Sequence, residues 1–433
     1  MNSAPVGLVA ALALLTLAPP SASAESLEAA WVQALSRDPV LAAAAEDVEA
    51  ARAGERAARG ARLPSIEAGA TYTRFADAPA LDVTTANFAF RSPRIFDADD
   101  TIMAFAQLKL PLYTGGSLSS GLAAARQTSR AAGEDQRRTV ADLKFDIARS
   151  YIGVLRARRA SRTSESSVES LKAHVSDVSA MVDREMVATS DLLAARVALA
   201  NASQQQLQAS NGVQLAYATY NRRLGQPLDR VPELEEVISV DSALANAPLA
   251  ALIERARASR SELAGQAARA SALGAQSRAE WGRQLPQLAL VGGYNHFETT
   301  ILDRQDFSTI GIGVTWNLFD GGQARNRAAS LRRASRAAEL RLDDLQSRIE
   351  LEVRDAWLGL HAAESRIAVS RESVAQADEN LRISRELYGA GLATNTQVLD
   401  AVALRVSAAN NADDAVLDAT LAQLAIARAV GSL

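Results

Sequence analysis

Four stretches of the chain alternate apolar and polar residues in the way that β-strands with two different faces do. They lie at residues 64–75, 102–113, 286–297 and 308–319. In the second stretch one face carries Ile102, Ala104, Ala106, Leu108, Leu110 and Leu112, and in the fourth it carries Ile310, Ile312, Val314, Trp316 and Leu318. Runs of about ten alternating residues suit transmembrane β-strands, which need ~9–11 residues. A half-buried sheet of a soluble protein is the alternative for any single run.

Each second strand of a pair leads into a long helical pattern. Residues 116–184 and 322–388 contain no proline, and a helix of that length extends roughly 100 Å at 1.5 Å per residue. In the later helix apolar residues recur every seven positions, at Leu360, Ile367, Val374, Leu381 and Tyr388, with small residues three places after most of them. A strict repeat of seven predicts a left-handed supercoil of closely packed helices.

The chain is a tandem duplication of one unit. The pairs Gly115-Gly116 and Gly321-Gly322 lie 206 residues apart, and the same spacing separates Tyr151 from Trp357. Each unit is predicted to run helix, strand, loop, strand, long helix, turn and return helix. We therefore divide the chain into a signal peptide (1–24), a first repeat (25–225, with a helical hairpin at 115–225), a connector (226–248) and a second repeat (249–433, with a helical hairpin at 321–431).

Composition and the N-terminus narrow the class of protein. The first 24 residues contain a short apolar run and an A-x-A site ending at Ala24, which is typical of a secretory signal peptide. The chain has no cysteine, so disulfides, thiolate metal sites and N-terminal lipidation on cysteine are excluded. A net charge of −4 gives no basic field overall, and nucleic acid is not expected as a partner.

The strands imply an oligomer. Four strands cannot close a barrel, and a lipid bilayer tolerates no open strand edge. Two copies would supply eight strands, and side chains fill the interior of a barrel of that size. Three copies would supply twelve strands and leave a lumen. The expected fold class is mainly α with transmembrane β: duplicated long helical hairpins, and four strands per chain that form a 12-stranded β-barrel as a homotrimer.

Together, the "YTGG" and "FDGG" junctions, the "LPS" and "LPQ" strand starts, and the tip sequence "YGAGLATNTQVLDA" resemble the TolC family of outer-membrane efflux and secretion channels. The resemblance covers essentially the whole mature chain. It implies a trimer located in the cell outer membrane, with a helical tunnel that extends into the periplasm. It also implies two protein partners, a periplasmic adaptor (membrane fusion) protein and an inner-membrane transporter. The exported substrate stays open among drugs, metals and proteins.

The resemblance also implies which residues form the periplasmic gate and the docking tips. In the family pattern two aspartates narrow the pore; Asp400 matches the second, and Gln397 occupies the position of the first. A tyrosine and its aspartate partner match Tyr388 and Asp191, whereas the position of a linking arginine holds Ala393. The apolar residues at the two helical turns, which an adaptor would contact, are Met186, Val187, Gly391, Leu392 and Ala393.

No enzyme motif emerges from the sequence. The three histidines, His174, His296 and His361, are far apart and lack the spacing of metal ligands, so packing or surface roles are expected. No catalytic residue, cofactor or metal site is therefore predicted. Two alternatives to the channel are a periplasmic adaptor, which would need one hairpin flanked by small β-domains, and a structural coiled-coil envelope protein, which would need no lipid-facing strands.

Overall fold

The computed structural model describes residues 24–77, 82–85, 88–91, 99–238, 243–299 and 303–433. The predicted signal peptide lies outside these residues apart from Ala24. The described elements are, in order, α1 (Leu27–Arg37), α2 (Pro39–Gly60), β1 (Ser65–Arg74), β2 (Asp82–Thr85), β3 (Phe88–Arg91), β4 (Asp100–Tyr113), α3 (Ser117–Asp183), α4 (Thr189–Arg223), α5 (Leu249–Ser259), α6 (Ser261–Gly282), β5 (Gln287–Phe297), β6 (Asp306–Thr315), α7 (Gln323–Gly389) and α8 (Asn395–Ala429). None of these helices contains a segment that is both long and apolar enough to cross a bilayer.

The four long strands form one antiparallel sheet in the order β1-β4-β5-β6. Its register places Ile66 opposite Leu108, and Leu290 opposite Ile312. Directly opposed residues in a ladder point to the same face, so the apolar positions of all four strands share one face. The predicted fold class of long helices with four strands per chain is confirmed at the level of the single chain.

The strands differ from the predicted ones in three places. β6 ends at Thr315, so Trp316 and Leu318 lie beyond the strand instead of on its apolar face. Near the end of β4 the register shifts at Pro111, because proline has no N–H to donate to the ladder. The predicted loop at residues 76–101 contains the short hairpin β2–β3, and parts of that loop lie outside the described residues.

Two pairs of glycines lie where a strand is followed by a long helix. Gly115 and Gly116 have φ values of 60° and 81°, and Gly321 and Gly322 repeat them at 67° and 81°. Only glycine adopts this left-handed region without strain, which explains the duplicated pair. At Gly115 a Cβ would also lie 2.3 Å from the carbonyl oxygen of Gly282, so side chains are excluded there for a second reason.

The helices of the two repeats have equal lengths. α3 and α7 both have 67 residues, and α4 and α8 both have 35. The heptad positions of α7 are buried or half-buried throughout, as the predicted supercoil seam requires. Leu360, Leu381 and Tyr388 are among the most buried of them.

The chain forms two compact units, and each takes segments from both repeats. The tip unit comprises the described parts of residues 1–37, 146–240 and 363–421. Its core packs apolar residues of α3, α4, α7 and α8, including Val178, Leu192 and Val398. The strand unit comprises the described parts of residues 38–145, 241–362 and 422–433 and contains the sheet.

Candidate functional site

The apolar face of the sheet is open to the surroundings. Ile310 is 82% exposed, and Ile312 and Val314 are 66% exposed, although these residues lie in the middle and second half of β6. Ile66 and Tyr72 on β1 are likewise largely exposed. A face of this kind is unfavourable in water, because burying each large apolar side chain would contribute roughly 1.5–3 kcal/mol of free energy that exposure does not provide.

Aromatic side chains stand at both ends of this face. At the loop end, the Tyr72 hydroxyl donates to Asp100 at 2.8 Å, and the Tyr294 hydroxyl donates to Asp306 at 2.9 Å. At the helix end, the Trp316 indole donates to the carbonyl of Gln284 at 3.0 Å while half of its surface stays exposed. Tyrosine and tryptophan with one polar anchor and an apolar body are typical of both water interfaces of a membrane.

The sheet has two open edges, β1 and β6. The opposite face of the same strands carries polar and small residues, for example Thr71, Gln107, Gly293 and Thr309. The sheet therefore has one apolar face, one mixed polar face and two strands ready to pair with another copy.

The hairpin tips, defined here as residues 185–188 and 391–394, are built alike. Helix α7 ends with Gly391 at φ 74°, whose N–H donates to Tyr388 O, and with the Leu392 N–H donating to Leu387 O. These two bonds form a Schellman motif. The motif recurs after α3, where Glu185 adopts φ 56° without being glycine.

The predicted docking residues divide into two groups. Val187 and Ala393 pack against the core of the tip unit and so close their hairpins. Met186 and Leu392 follow the left-handed residues and are 61% and 76% exposed. Their exposure leaves two apolar side chains at the tips with little packing inside their own chain.

The two predicted pore-narrowing residues, Asp400 and Gln397, lie one turn apart on α8. Asp400 is exposed, and it forms no ion pair within the described part of the chain. Gln397 has a local role that the sequence analysis did not assign: its Oε1 accepts from the Thr394 N–H at 2.8 Å. The Thr394 hydroxyl accepts in return from the Gln397 N–H at 3.4 Å, so the pair caps α8. In the first repeat Ala188 holds the equivalent cap position, and α4 begins without a side-chain cap.

Tyr388 and Asp191, the predicted link of the gate, lie in the same region without a hydrogen bond between their side chains. Tyr388 is 6% exposed, and its hydroxyl is buried without a hydrogen-bond partner among the described residues. Burial raises the pKa of the Tyr388 phenol, and the negative charge of Asp191 raises it further.

A different polar link joins the helices at the tips. His174 of α3 and Asn395 of α8 are both 4% exposed, and Nε2 of His174 lies 2.7 Å from Oδ1 of Asn395. The Nδ2 of Asn395 donates to the carbonyl of Asp191 on α4 at 3.0 Å. Because this amide group donates through Nδ2, its Oδ1 accepts, and Nε2 of His174 is the donor.

The sequence pattern predicts only a packing or surface role for His174 and does not single out Asn395. The available signal was position: His174 follows Leu171 by three residues and precedes Val178 by four, on the buried face of α3. The described residues hold no cluster of three or more His, Cys, Asp and Glu that could bind a metal. His296 and His361 bond locally, to Asp306 and to the Trp357 carbonyl.

Comparison with known proteins assigns the family. The family model "Outer membrane efflux protein" matches residues 30–226 and 252–432. TolC of Vibrio cholerae serotype O1 is 25% identical over 426 residues, which cover 95% of this chain and 91% of that protein. The outer membrane efflux protein BepC of Brucella suis biovar 1 is 23% identical over 298 residues, which cover 68% of this chain and 64% of BepC.

The fold agrees with the same family. The crystal structure of CusC, studied for transmembrane channel formation, superposes with a TM-score of 0.81 at 16% identity and covers 95% of this chain and 93% of that one. The family match extends over both repeats and includes the open sheet as well as the hairpin tips. The chain therefore belongs to the outer membrane efflux protein family.

Proposed function

We propose that three copies of this chain form a closed channel that serves as the exit duct of a tripartite efflux or type I secretion system. The observation that carries the proposal is the sheet, which combines an exposed apolar face with two unpaired edges. In a bilayer the apolar face contacts lipid, and edge β6 of one copy pairs with edge β1 of the next. Each backbone group then has a partner, which a membrane-spanning sheet requires.

Three copies fit the strand count best. Twelve strands leave a lumen, and the mixed polar face of each sheet would line it. The supercoiled helices α3, α4, α7 and α8 would then supply the wall of a tunnel, since small residues of their shared core, such as Ala202 and Ala401, allow close packing. In this arrangement the chain is a passive duct, and energy comes from an inner-membrane transporter.

The tips supply the surface for a second protein. Met186 and Leu392 are apolar, exposed and placed at the ends of the hairpins, where a periplasmic adaptor would contact them. A structural coiled-coil envelope protein would gain nothing from a lipid-facing sheet, and a periplasmic adaptor would not need a duplicated strand pair. The duct is therefore the preferred function.

The proposed barrel is tested by one matched pair of substitutions on β6. Ile310→Arg places a charge on the apolar face near the middle of the strand and should cost about 2–4 kcal/mol per copy in the bilayer. Thr309→Arg places the same charge on the opposite face, where it meets water in the lumen. Trimer content, measured by chemical cross-linking in isolated outer membranes, should fall sharply for Ile310→Arg and little for Thr309→Arg.

Two results would contradict the proposal. Equal loss of trimer in both variants would mean that the apolar face does not contact lipid. Recovery of the unsubstituted protein from a soluble periplasmic fraction would exclude the barrel altogether.

A further inference from the structure

Arginine is concentrated where the helices meet the strands. Four segments of the strand unit, residues 52–62, 117–130, 278–283 and 320–336, contain thirteen arginines and three acidic residues. This excess contrasts with the net charge of −4 for the whole chain. The positive charge is therefore gathered within about fourteen helical residues of the strand ends, a distance of roughly 20 Å. We call this group the arginine collar.

Eight of the thirteen collar arginines form no ion pair with a described residue; the paired ones are Arg52, Arg59, Arg126, Arg283 and Arg336. All thirteen arginines are exposed. Arg126 lies 3.5 Å from Glu55, and Arg283 lies 3.2 Å from Glu280. By contrast, Arg325 and Arg327 at the start of α7 form no ion pair with any described residue. Exposed cations this close together repel one another, and an anionic partner relieves the repulsion.

Exposed apolar side chains lie beside the collar, in the last residues of β4 and α6 and in the segments that join helices to strands. The group is exposed and consists of Leu63, Leu112, Tyr113, Trp281, Leu285, Trp316, Leu318 and Phe319. Phe319 is 87% exposed, although it stands only six residues from Arg325. An apolar and aromatic belt followed by basic residues is the order in which a membrane presents acyl chains and then headgroups.

The belt and the collar share one cleft. Its volume is about 740 Å³, and its lining includes Arg283, Arg325, Arg327, Trp316 and Phe319. Gln284 also lines the cleft, and its Nε2 is a buried donor that has no acceptor among the described residues. Two carboxylates also line the cleft. Glu280 pairs with Arg283, and Asp320 accepts the N–H groups of Gly322 and Ala324 at the start of α7, so neither pairs with Arg325 or Arg327.

We propose that this cleft binds the phosphate of an anionic phospholipid in the membrane leaflet on the helix side of the strands. Arg325 and Arg327 pair with the phosphate oxygens, since guanidinium matches phosphate geometry. The amide of Gln284 donates to the same headgroup, and Trp316 and Phe319 contact the acyl chains. The proposal rests on the proposed barrel, which sets the cleft at the membrane surface.

Charge decides which lipid is bound. A zwitterionic headgroup carries its own ammonium, which the collar repels, whereas phosphatidylglycerol has a net negative charge. The collar as a whole should attract such lipids, and the cleft should hold one lipid per copy. A trimer would therefore retain up to three tightly bound lipids.

The test is native mass spectrometry of the trimer in neutral detergent, with phosphatidylglycerol or phosphatidylcholine of matched acyl chains added. The unsubstituted trimer should prefer phosphatidylglycerol by at least about tenfold. In the Arg325→Gln/Arg327→Gln variant, affinity for phosphatidylglycerol should fall roughly 30-fold, since each arginine near a surface contributes about fivefold. The control Arg341→Gln/Arg371→Gln removes two exposed arginines elsewhere and should bind like the unsubstituted protein.

Several outcomes would overturn the proposal. They are equal affinity for the two lipids, equal loss in the control variant, and displacement of phosphatidylglycerol by equimolar inorganic phosphate. Altered anion selectivity in planar bilayers without altered lipid binding would instead assign the two arginines to the lumen and would also overturn it. Failure of the barrel is distinguishable, because the spectra would then contain monomers in place of trimers.

Discussion

Replacing His174 with leucine should loosen the hairpin tips without disturbing the sheet. The substitution places an apolar side chain of similar size in a site that is 4% exposed, and it removes the donor that lies 2.7 Å from Asn395 Oδ1. Asn395 is equally buried, so its oxygen is left without a partner. Leaving a buried acceptor without its donor lowers the stability of the folded region by about 1–3 kcal/mol. Asn395→Leu should cost about the same or slightly more, because the bond to the Asp191 carbonyl is also lost.

The double variant His174→Leu/Asn395→Leu separates the hydrogen bond from packing. With both polar groups replaced, no imidazole or amide remains unsatisfied, and the cost should be smaller than the sum of the single variants by at least about 1 kcal/mol. His361→Leu is the matched control, since this histidine is exposed and its Nδ1 lies 2.9 Å from the Trp357 carbonyl one turn earlier on α7. Its effect should stay within about 0.5 kcal/mol.

Amide hydrogen exchange of the assembled protein measures local opening at the hairpin tips. Peptides covering residues 181–195 and 388–402 should exchange roughly 5- to 150-fold faster in His174→Leu, which corresponds to a decrease of about 1–3 kcal/mol in the free energy of local opening. Peptides from β1, β4, β5 and β6 should exchange at unchanged rates. Unchanged exchange at the tips, or strict additivity in the double variant, would refute the inference that this hydrogen bond fastens the hairpins.

Three further outcomes are expected. The Met186→Asp/Leu392→Asp variant should assemble normally and abolish export from cells, because both exposed side chains lie at the tips; export at the normal level would count against tip docking. In thermal unfolding, Gly115→Ala should destabilise the protein by about 2–5 kcal/mol, because the backbone is left-handed there and the new Cβ clashes with a neighbouring carbonyl. Gly321→Ala should cost only about 1–2 kcal/mol, because its backbone is also left-handed but the space around it is open. Asp400→Ala should weaken cation selectivity and block by multivalent cations in planar bilayers without changing trimer content, since three carboxylates ~10 Å apart repel by only ~0.4 kcal/mol per pair in water; unchanged selectivity would remove Asp400 from the gate.

The face pattern and the helical seams could be predicted because each depends on a local period. Alternation put Ile310 and Val314 on one face, and the structure keeps them there. The seven-residue repeat likewise identified Leu360 and Tyr388 as buried. The left-handed conformation of Gly391 likewise follows a local rule, because a helix that ends at a glycine commonly closes with a residue of positive φ.

Other features depend on contacts between residues far apart in sequence, and no local period reports them. His174 and Asn395 are 221 residues apart, so neither could suggest the other. The alternating pattern predicts too late an end for β6, because Trp316 and Leu318 continue the alternation after the backbone has left the ladder. Glu185 was missed as a left-handed residue because its type argues against that conformation, while the helix end requires it.

The matched helix lengths restrict how the length of the helical hairpins can change through evolution or by engineering. A seven-residue deletion in one helix alone would shift every later seam residue by about 10 Å against its neighbours. Removing one heptad from each of α3, α4, α7 and α8 at matching positions would shorten all four together and keep each seam in register. The lengths of the four hairpin helices are therefore coupled, and they can change only when whole heptads are added to or removed from all four together.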